Sequence, residues 1–582
     1  MLYGGEFCLN LHHKISNTMK KGLSLITLSI LATSVFFQNC ATLGSMEKHR
    51  EELNFQVDPT PLEVHGDSIK VKITGKFPEK YFAKTVTVEA IPTLTYAGGE
   101  SAFKTASFKG EKATGNGDAI PYKTGKSFTY TATIPYVAGM ETSSLELRIK
   151  GAKGSKTASF PGINIGKGVI TTPYLMKSDD KVITSKDALV RSTNKTHEAK
   201  IIFAKNSSVV DAKELKDTDI TDFTKVLKEI SSNSKITINS IELVSFASPE
   251  GELVRNDSLG VERARAGKKV VMDMLKKEKM DVLFGSKVNM VPNGEDWEGF
   301  RAAMEASNIG DREIIIRILQ READADKREE EIKNISKTYE EIEETILPSL
   351  RRCVIRINYT EMGLSDTELQ EIGKSAPGSL TYEEGLKAAS LTEDLNTRAS
   401  ILKAAESKAN GDYRASNNLG VVYFEQGKVA DAAKQFEKAY GMKKNAETSN
   451  NFGTSKRLGG DRNGALKLFN ESGSNEAKYN KGMIFIANGD YSSAVNNMSG
   501  EKTFNSALAK MLKGDNAGAK ADLDASKDGS AEADYLRAII CARSNDVSGV
   551  SSNIKSAVKK NGALTEKFKK DLEFEKFQSA LN

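Results

Sequence analysis

Apolar and polar positions along this chain fall into three successive regimes. From residue 62 to 168 they alternate every second residue, in Ile69-Lys-Val71-Lys-Ile73, Val86-Thr-Val88, Phe128-Thr-Tyr130 and Leu145-Glu-Leu147-Arg-Ile149. Glycine and proline separate these runs and no helical stretch intervenes, which predicts the half-buried strands of a β-sandwich. Between 200 and 360 strand and helix periods are interleaved. Ile201-Ile202-Phe203 opens the region, and a helix-prone stretch carries Val226, Leu227 and Ile230. Ile236, Ile238, Ile241 and Leu243 then alternate as a strand, which Pro249 and Gly251 break. Leu259, Val261, Ala264, Val270 and Val271 mark one face of a helix over 257–277, with Asp257 as its N-cap. Strands expected at 287–291 and 352–357 enclose a helical insertion at about 292–346. From 365 to 582 only the helical period remains. Residues 40–61 are polar and read as a tether with room for one short helix, and 169–199 as a linker with room for short strands.

The last region also repeats itself. Leu419-Gly420-x-x-Tyr423, Gly427, Ala432, Phe436 and Ala439 sit at the offsets of a tetratricopeptide motif. Phe452-Gly453, Gly460, Ala465 and Phe469 form a second copy, and Gly482, Phe485, Gly489, Ala494 and Met498 a third. Fainter copies follow at Gly514-Ala519-Leu523 and Asn545-Val550-Ile554, and residues 571–574 suit a capping helix. Small residues are needed where paired helices touch, and large ones fill the seams between hairpins.

In the middle region, Asn256-Asp-Ser-Leu259-Gly-Val-Glu-Arg263-Ala264 resembles the N-x-x-L-S-x-x-R-A signature of OmpA-like, peptidoglycan-associating domains. Gly260 stands where the family has serine, which reads as a mild change. The segments 294–299 and 327–329 resemble elements of OmpA-like proteins from Bacteroidota. Trp297, the single tryptophan, reads as a packing anchor rather than a ligand platform. The charge run at 321–345 reads as a solvated helix face. The expected fold is therefore multidomain: an all-β immunoglobulin-like sandwich at 62–168, an α/β OmpA-like domain with a helical insertion at 200–360, and an all-α tetratricopeptide solenoid at 365–582.

A formal charge of +5 over 582 residues leaves no concentrated basic face for nucleic acid. Met19-Lys20-Lys21 and the apolar run after it read as a signal peptide with an N-terminal extension, so 1–39 is the export segment. The run is short for a membrane-spanning helix. Cys40 follows directly, where a lipoprotein carries its acylated cysteine. Phe37-Gln38-Asn39 resembles the looser lipoprotein boxes of Bacteroidota, and no acidic cluster follows Cys40, which favours the periplasmic face of the outer membrane. Cys353 and Cys541, far apart in sequence, form no disulfide framework or metal motif and read as small buried hydrophobes.

Beyond the export segment the histidines are His49, His65 and His197, scattered over tether, sandwich and linker. No triad, HExxH or paired-cysteine pattern is present, and Gly125-Lys126-Ser127 lacks the upstream glycine of a phosphate loop. The chain reads as non-enzymatic, with neither cofactor nor metal. One site remains. The OmpA-like resemblance implies a loop aspartate and the signature arginine gripping the ammonium and carboxylate of diaminopimelate. Arg263 fills the arginine position, but Ser248 falls where the aspartate belongs, leaving Glu250 as the replacement anion beside Asn256. Two readings of Arg263 stay open, a ligand grip or a tie between helix and the 245–251 loop. Together the regions resemble a class of Bacteroidota outer-membrane lipoprotein. This implies a scaffold or accessory subunit of an outer-membrane complex, of barrel-assembly or type nine secretion class. A peptidoglycan-binding tether is the alternative.

Overall fold

The structure is a computed structural model that describes residues 41–581; the export segment and Cys40 lie outside the described residues. Two compact units make up the chain. One comprises the residues up to Lys181 together with those from Lys456 onward, and the other is Val182–Ser455.

In the first unit two sheets pack face to face. One has the strands Asn54–Asp58, Ser68–Phe77, Leu62–His65 and Val169–Ile170 in that order, with Lys126–Pro135 also paired to Ser68–Phe77. The other runs Lys156–Lys167, Ser144–Lys153, Thr87–Tyr96, Ala106–Gly110, Asp118–Ile120, with Gly99–Ala102 also on Thr87–Tyr96. Alternation works as the sequence predicts: Ile69, Val71 and Ile73 turn inward to meet Leu94 and Leu145, and Phe77 meets Phe82, Phe108 and Phe128. Residues 41–61 are not a free tether. Helix Ala41–Lys48 buries Leu43 and Met46 in the same core, and Asn54–Asp58 is a strand of the first sheet. The short helix was expected; its packing was not, because only Leu43 and Met46 of it reach into the core.

The same unit contains helical hairpins from Arg462–Ser472 to Val547–Lys560, then Leu564–Lys570 and a final 3-10 segment Leu572–Leu581. Their turns repeat one device. Gly460, Gly489, Gly514 and Asn545 have positive φ and end one helix. Asp461, Asp490, Asp515 and Asp546 follow, and each accepts the backbone N–H three residues on to start the next helix. Gly482 lies so close to Met498 that an added Cβ would come within 2.5 Å of its side chain. Phe568, Phe574 and Phe577 close the end of this core.

In the second unit a four-stranded sheet has the order Ser192–Ile202, Arg352–Met362, Ile236–Ala247, Val288–Glu295. Ile236–Ala247 and Val288–Glu295 run parallel, and Arg352–Met362 is antiparallel to both its neighbours. Helices Thr218–Ser232 and Leu253–Lys277 contribute Phe223, Leu227, Val271 and Leu275 to the core with Ile241, Leu243 and Ile355. Several boundaries differ from the sequence expectation, among them the closing strand, which runs on to Met362. The opening strand begins at Ser192, because the polar run to Glu198 pairs along its whole length with Arg352–Met362 while showing no apolar alternation. The second helix begins at Leu253, not 257, since Gly251 at φ 86° breaks the strand one turn earlier. The strand Val288–Glu295 passes through Pro292, which an edge strand tolerates because the missing N–H can face outward. The insertion forms helices between Trp297 and Leu350 around Phe300, Met304, Ile315 and Ile342, with Trp297 edge-on to Phe300.

Helical hairpins follow in this unit from Asp366 to Ala446 and beyond. Gly420 packs under Phe436, whose ring would sit 2.5 Å from an added Cβ. Cys353 and Cys541 are both buried and free.

Candidate functional site

The signature helix Leu253–Lys277 lies unusually close to the edge strand. Gly260 makes this approach available: a Cβ there would meet the Asn293 carbonyl oxygen at 2.0 Å. The Ser245 hydroxyl donates to the Gly260 carbonyl at 2.6 Å. Gly260 is thus a packing requirement in this chain, and the reading of it as a mild change is corrected.

One turn on, Arg263 is fully buried. Its guanidinium donates to three main-chain carbonyls: Nε to Ser207 at 3.0 Å, Nη1 to Phe246 at 2.8 Å and Nη2 to Ala204 at 3.4 Å. Among the described residues no carboxylate lies within ion-pair distance. Burial, then the neighbouring Arg351 guanidinium, pushes its pKa down to about 10, so it stays charged at neutral pH.

Glu250 does swing inward, as the turn after Ser248 requires, but toward another cation. Its Oε1 accepts from Arg351 Nε at 2.9 Å and Nη2 at 2.8 Å, and from the Ser248 hydroxyl at 2.7 Å. Lys205 Nζ lies 3.4 Å from its Oε2. Asn256 is buried too, and its amide donates to the Glu250 carbonyl and to Glu295 Oε1, each at 2.9 Å. Glu295 also accepts from Trp297 Nε1 at 2.8 Å. An open depression of about 510 Å³ lies over this cluster, bordered by Lys205, Arg255, Tyr339 and Glu343. The structure therefore brings Ser248, Glu250, Asn256 and Arg263 together, and gives each of them an internal hydrogen-bond partner.

Sequence reading missed a second set of polar groups. Inside the segment expected as a linker, residues 177–191 belong to no helix or sheet, and asparagines of the repeat helices hold their backbone. In the first unit the Asn505 amide accepts Lys177 N–H at 2.9 Å and donates to the Lys177 carbonyl at 2.8 Å. Asn480 does the same for Lys181, at 2.9 and 2.8 Å. Side chains are read as well. Lys177 Nζ sits 4.5 Å from the Phe504 ring centre and donates to Asp528 at 2.7 Å. Lys181 Nζ sits 4.4 Å from the Tyr479 ring centre and donates to Glu501 at 2.7 Å. Asp180 is buried against Arg457, and Asp179 accepts from the Tyr479 hydroxyl at 2.8 Å.

The second unit uses the same device by itself. Asn451 brackets Ile183 at 2.8 and 2.7 Å, and Asn418 brackets Ser185 at 2.8 and 2.9 Å. Arg414 and Glu383 hold the backbone of Lys186 and Ala188. The sequence carried a signal for this. Asn418, Asn451 and Asn480 each stand two residues before a motif glycine, at Gly420, Gly453 and Gly482.

No family model matches the chain, and no curated protein matches it. Solved structures that resemble part of it include a tetratricopeptide repeat protein from Parabacteroides merdae, 15% identical over 37% of this chain and 91% of that one, with a TM-score of 0.28. PilF of Pseudomonas aeruginosa is 15% identical over 36% of this chain and 98% of its own, also at 0.28. A chain of the APC/C hetero-tetramer Cut9-Hcn1 is 10% identical over 56% and 71%, at 0.25.

Proposed function

We propose that this chain is a non-enzymatic scaffold or accessory subunit of an outer-membrane protein complex, lipid-anchored through Cys40 and facing the periplasm. The observation that carries this reading is the pairing of repeat-helix asparagines with both the N–H and the C=O of an extended strand. Such groups recognise polypeptide backbone and offer no nucleophile, base or metal ligand set. The mixed sheet of the second unit supports an OmpA-like domain, and the two packed sheets of the first support an immunoglobulin-like sandwich. Barrel-assembly and type nine secretion complexes are the host classes that the sequence resemblance implies.

Purification of the lipidated protein from native membranes in mild detergent tests the reading. A stoichiometric outer-membrane barrel protein is expected in the eluate, and recovery of the lipoprotein alone counts against it. Cys40→Ala should release the protein from membranes or leave its precursor unprocessed.

A second reading, a tether binding peptidoglycan through Arg263, is favoured by one observation: a charged guanidinium without a carboxylate partner lies under an open depression. Against it, three carbonyls already use that guanidinium, and Arg351 occupies the anion Glu250. Peptidoglycan pulldown by the wild-type chain, set beside Glu250→Ala and Ser248→Asp, separates the two. The scaffold reading expects no pulldown above that of an unrelated periplasmic protein.

A further inference from the structure

The segment Lys177-Ser-Asp-Asp-Lys181 is bound by the repeat helices of its own unit as a ligand would be, residue by residue. Two asparagines take the backbone of residues four apart. Two lysines lie over aromatic rings with acidic partners, and one aspartate enters a buried site facing Arg457. Yet the segment belongs to no sheet or helix, and its own residues are mostly half-buried or exposed; Asp180 alone is buried. The hydrogen bonds and ion pairs just named all end on side chains of the helices, so leaving would uncover polar groups that water can satisfy. Only the Asp180–Arg457 pair resists, because an unpaired buried charge is costly.

We propose that this face of the repeats is a recognition site for an extended polypeptide segment of the Lys-x-Asp-Asp-Lys kind, and that residues 177–181 are a resident occupant that such a segment replaces. The proposal rests on the reading of the repeats as a protein-binding surface. It adds which chemistry is read: main-chain amides at residues four apart, a lysine at each, and an aspartate for Arg457. A resident occupant has the advantage of covalent attachment, with an effective concentration in the millimolar range for short connections. A free segment of equal intrinsic affinity therefore competes poorly until the resident is weakened.

The test uses the full chain and a fluorescent peptide of residues 173–183. Asp180→Ala weakens the resident and leaves the site intact. This variant should bind the peptide at least tenfold more tightly than wild type, and the peptide should restore its thermal stability. Peptide carrying alanine at the position of Asp180 should do neither, and adding Asn480→Ala and Asn505→Ala to the variant should abolish binding. Equal uptake by wild type and variant, or none by a folded variant, overturns the proposal. Should Asp180→Ala fail to fold, hydrogen exchange on the wild-type chain decides. The amides of Lys177 and Lys181 should exchange through local opening, faster than those buried in Ala531–Arg543. Exchange of both sets at one rate would make the segment a permanent part of the fold and overturn it. Failure here leaves co-purification with a barrel protein untouched, so this proposal and the scaffold reading fail separately.

Discussion

Arg263 and Asn480 both spend side-chain donors on main-chain carbonyls, but what they hold differs. Arg263 is buried in the second unit and ties the loop of Ala204 and Ser207 to Phe246 at the end of the strand Ile236–Ala247. Asn480 holds a strand that has no ladder partner and lies half in water. One motif looks like a ligand grip, yet main-chain carbonyls already take its donors. The other sits opposite a stretch that looks like a linker and acts as a receptor. The lesson is that a polar cluster is judged by how firmly its partners are held elsewhere, and residue type alone does not tell.

Breaking the receptor at its most buried point should give the largest effect. Arg457→Ala strands the carboxylate of Asp180, which is fully enclosed. Removing one member of such a pair costs about 3–5 kcal/mol, read as a lowered urea midpoint for the full chain. A loss below about 1 kcal/mol would mean that the segment leaves with its aspartate and re-solvates, which sharpens the contrast with Arg263 further.

Gly260→Ser puts the family residue back at the signature helix. The added Cβ would fall 2.0 Å from the Asn293 carbonyl oxygen, so helix and edge strand must move apart. Overpacking of this kind costs about 1–3 kcal/mol. An unchanged melting temperature would show that the helix has slack, and with it the idea of a rigid brace would fall.

Arg263→Lys keeps the charge and loses the planar fork, leaving at least one buried carbonyl without its donor. A loss of about 1–2 kcal/mol is expected in thermal unfolding, with no change in peptidoglycan pulldown. The tether reading expects the reverse: stability nearly intact and pulldown reduced.

Much of this was legible beforehand, for physical reasons. Ile69-x-Val71-x-Ile73 is buried on one side only, so its alternation reports the sheet directly. Gly420 and Gly482 had to be small because Phe436 and Met498 lie against them. Residues 192–198 were illegible, because an edge strand exposed on both faces is held by backbone hydrogen bonds that leave no pattern in side chains. Glu250 was rightly placed in the loop, but its partner Arg351 lies about a hundred residues away, beyond any local spacing rule. The asparagines before Gly420, Gly453 and Gly482 were visible and unused, since the motif sought consisted of small and apolar positions.

The smallest expected effect concerns pH, and it is read at the carboxylate that pairs with Lys177. Burial alone would raise the Asp528 pKa. The Lys177 ammonium, together with the hydroxyl and N–H of Ser530, outweighs it and brings the carboxyl down to about 2. Unfolded, the same group titrates near 4. Between those values the unfolded chain binds a proton that the folded chain refuses, so stability rises with pH there. The contribution is complete above about 4 and is lost as pH falls toward about 2. Lys177→Met keeps a side chain over the Phe504 ring but removes the ammonium, so the folded pKa should climb back. Urea unfolding of both chains at several values between pH 5 and 2.5 should then show a shallower acid slope for the variant. Near neutrality the two should differ by no more than about 1 kcal/mol, as befits a half-exposed pair. Glu368 in the other unit, held at about 2 by Lys235 and Ser365, titrates in the same window, but it contributes equally to both chains and cancels in the difference. Identical acid slopes would mean that Lys177 does not sit on Asp528 in solution, and the side-chain half of the recognition would have to be given up while the asparagine half could stand.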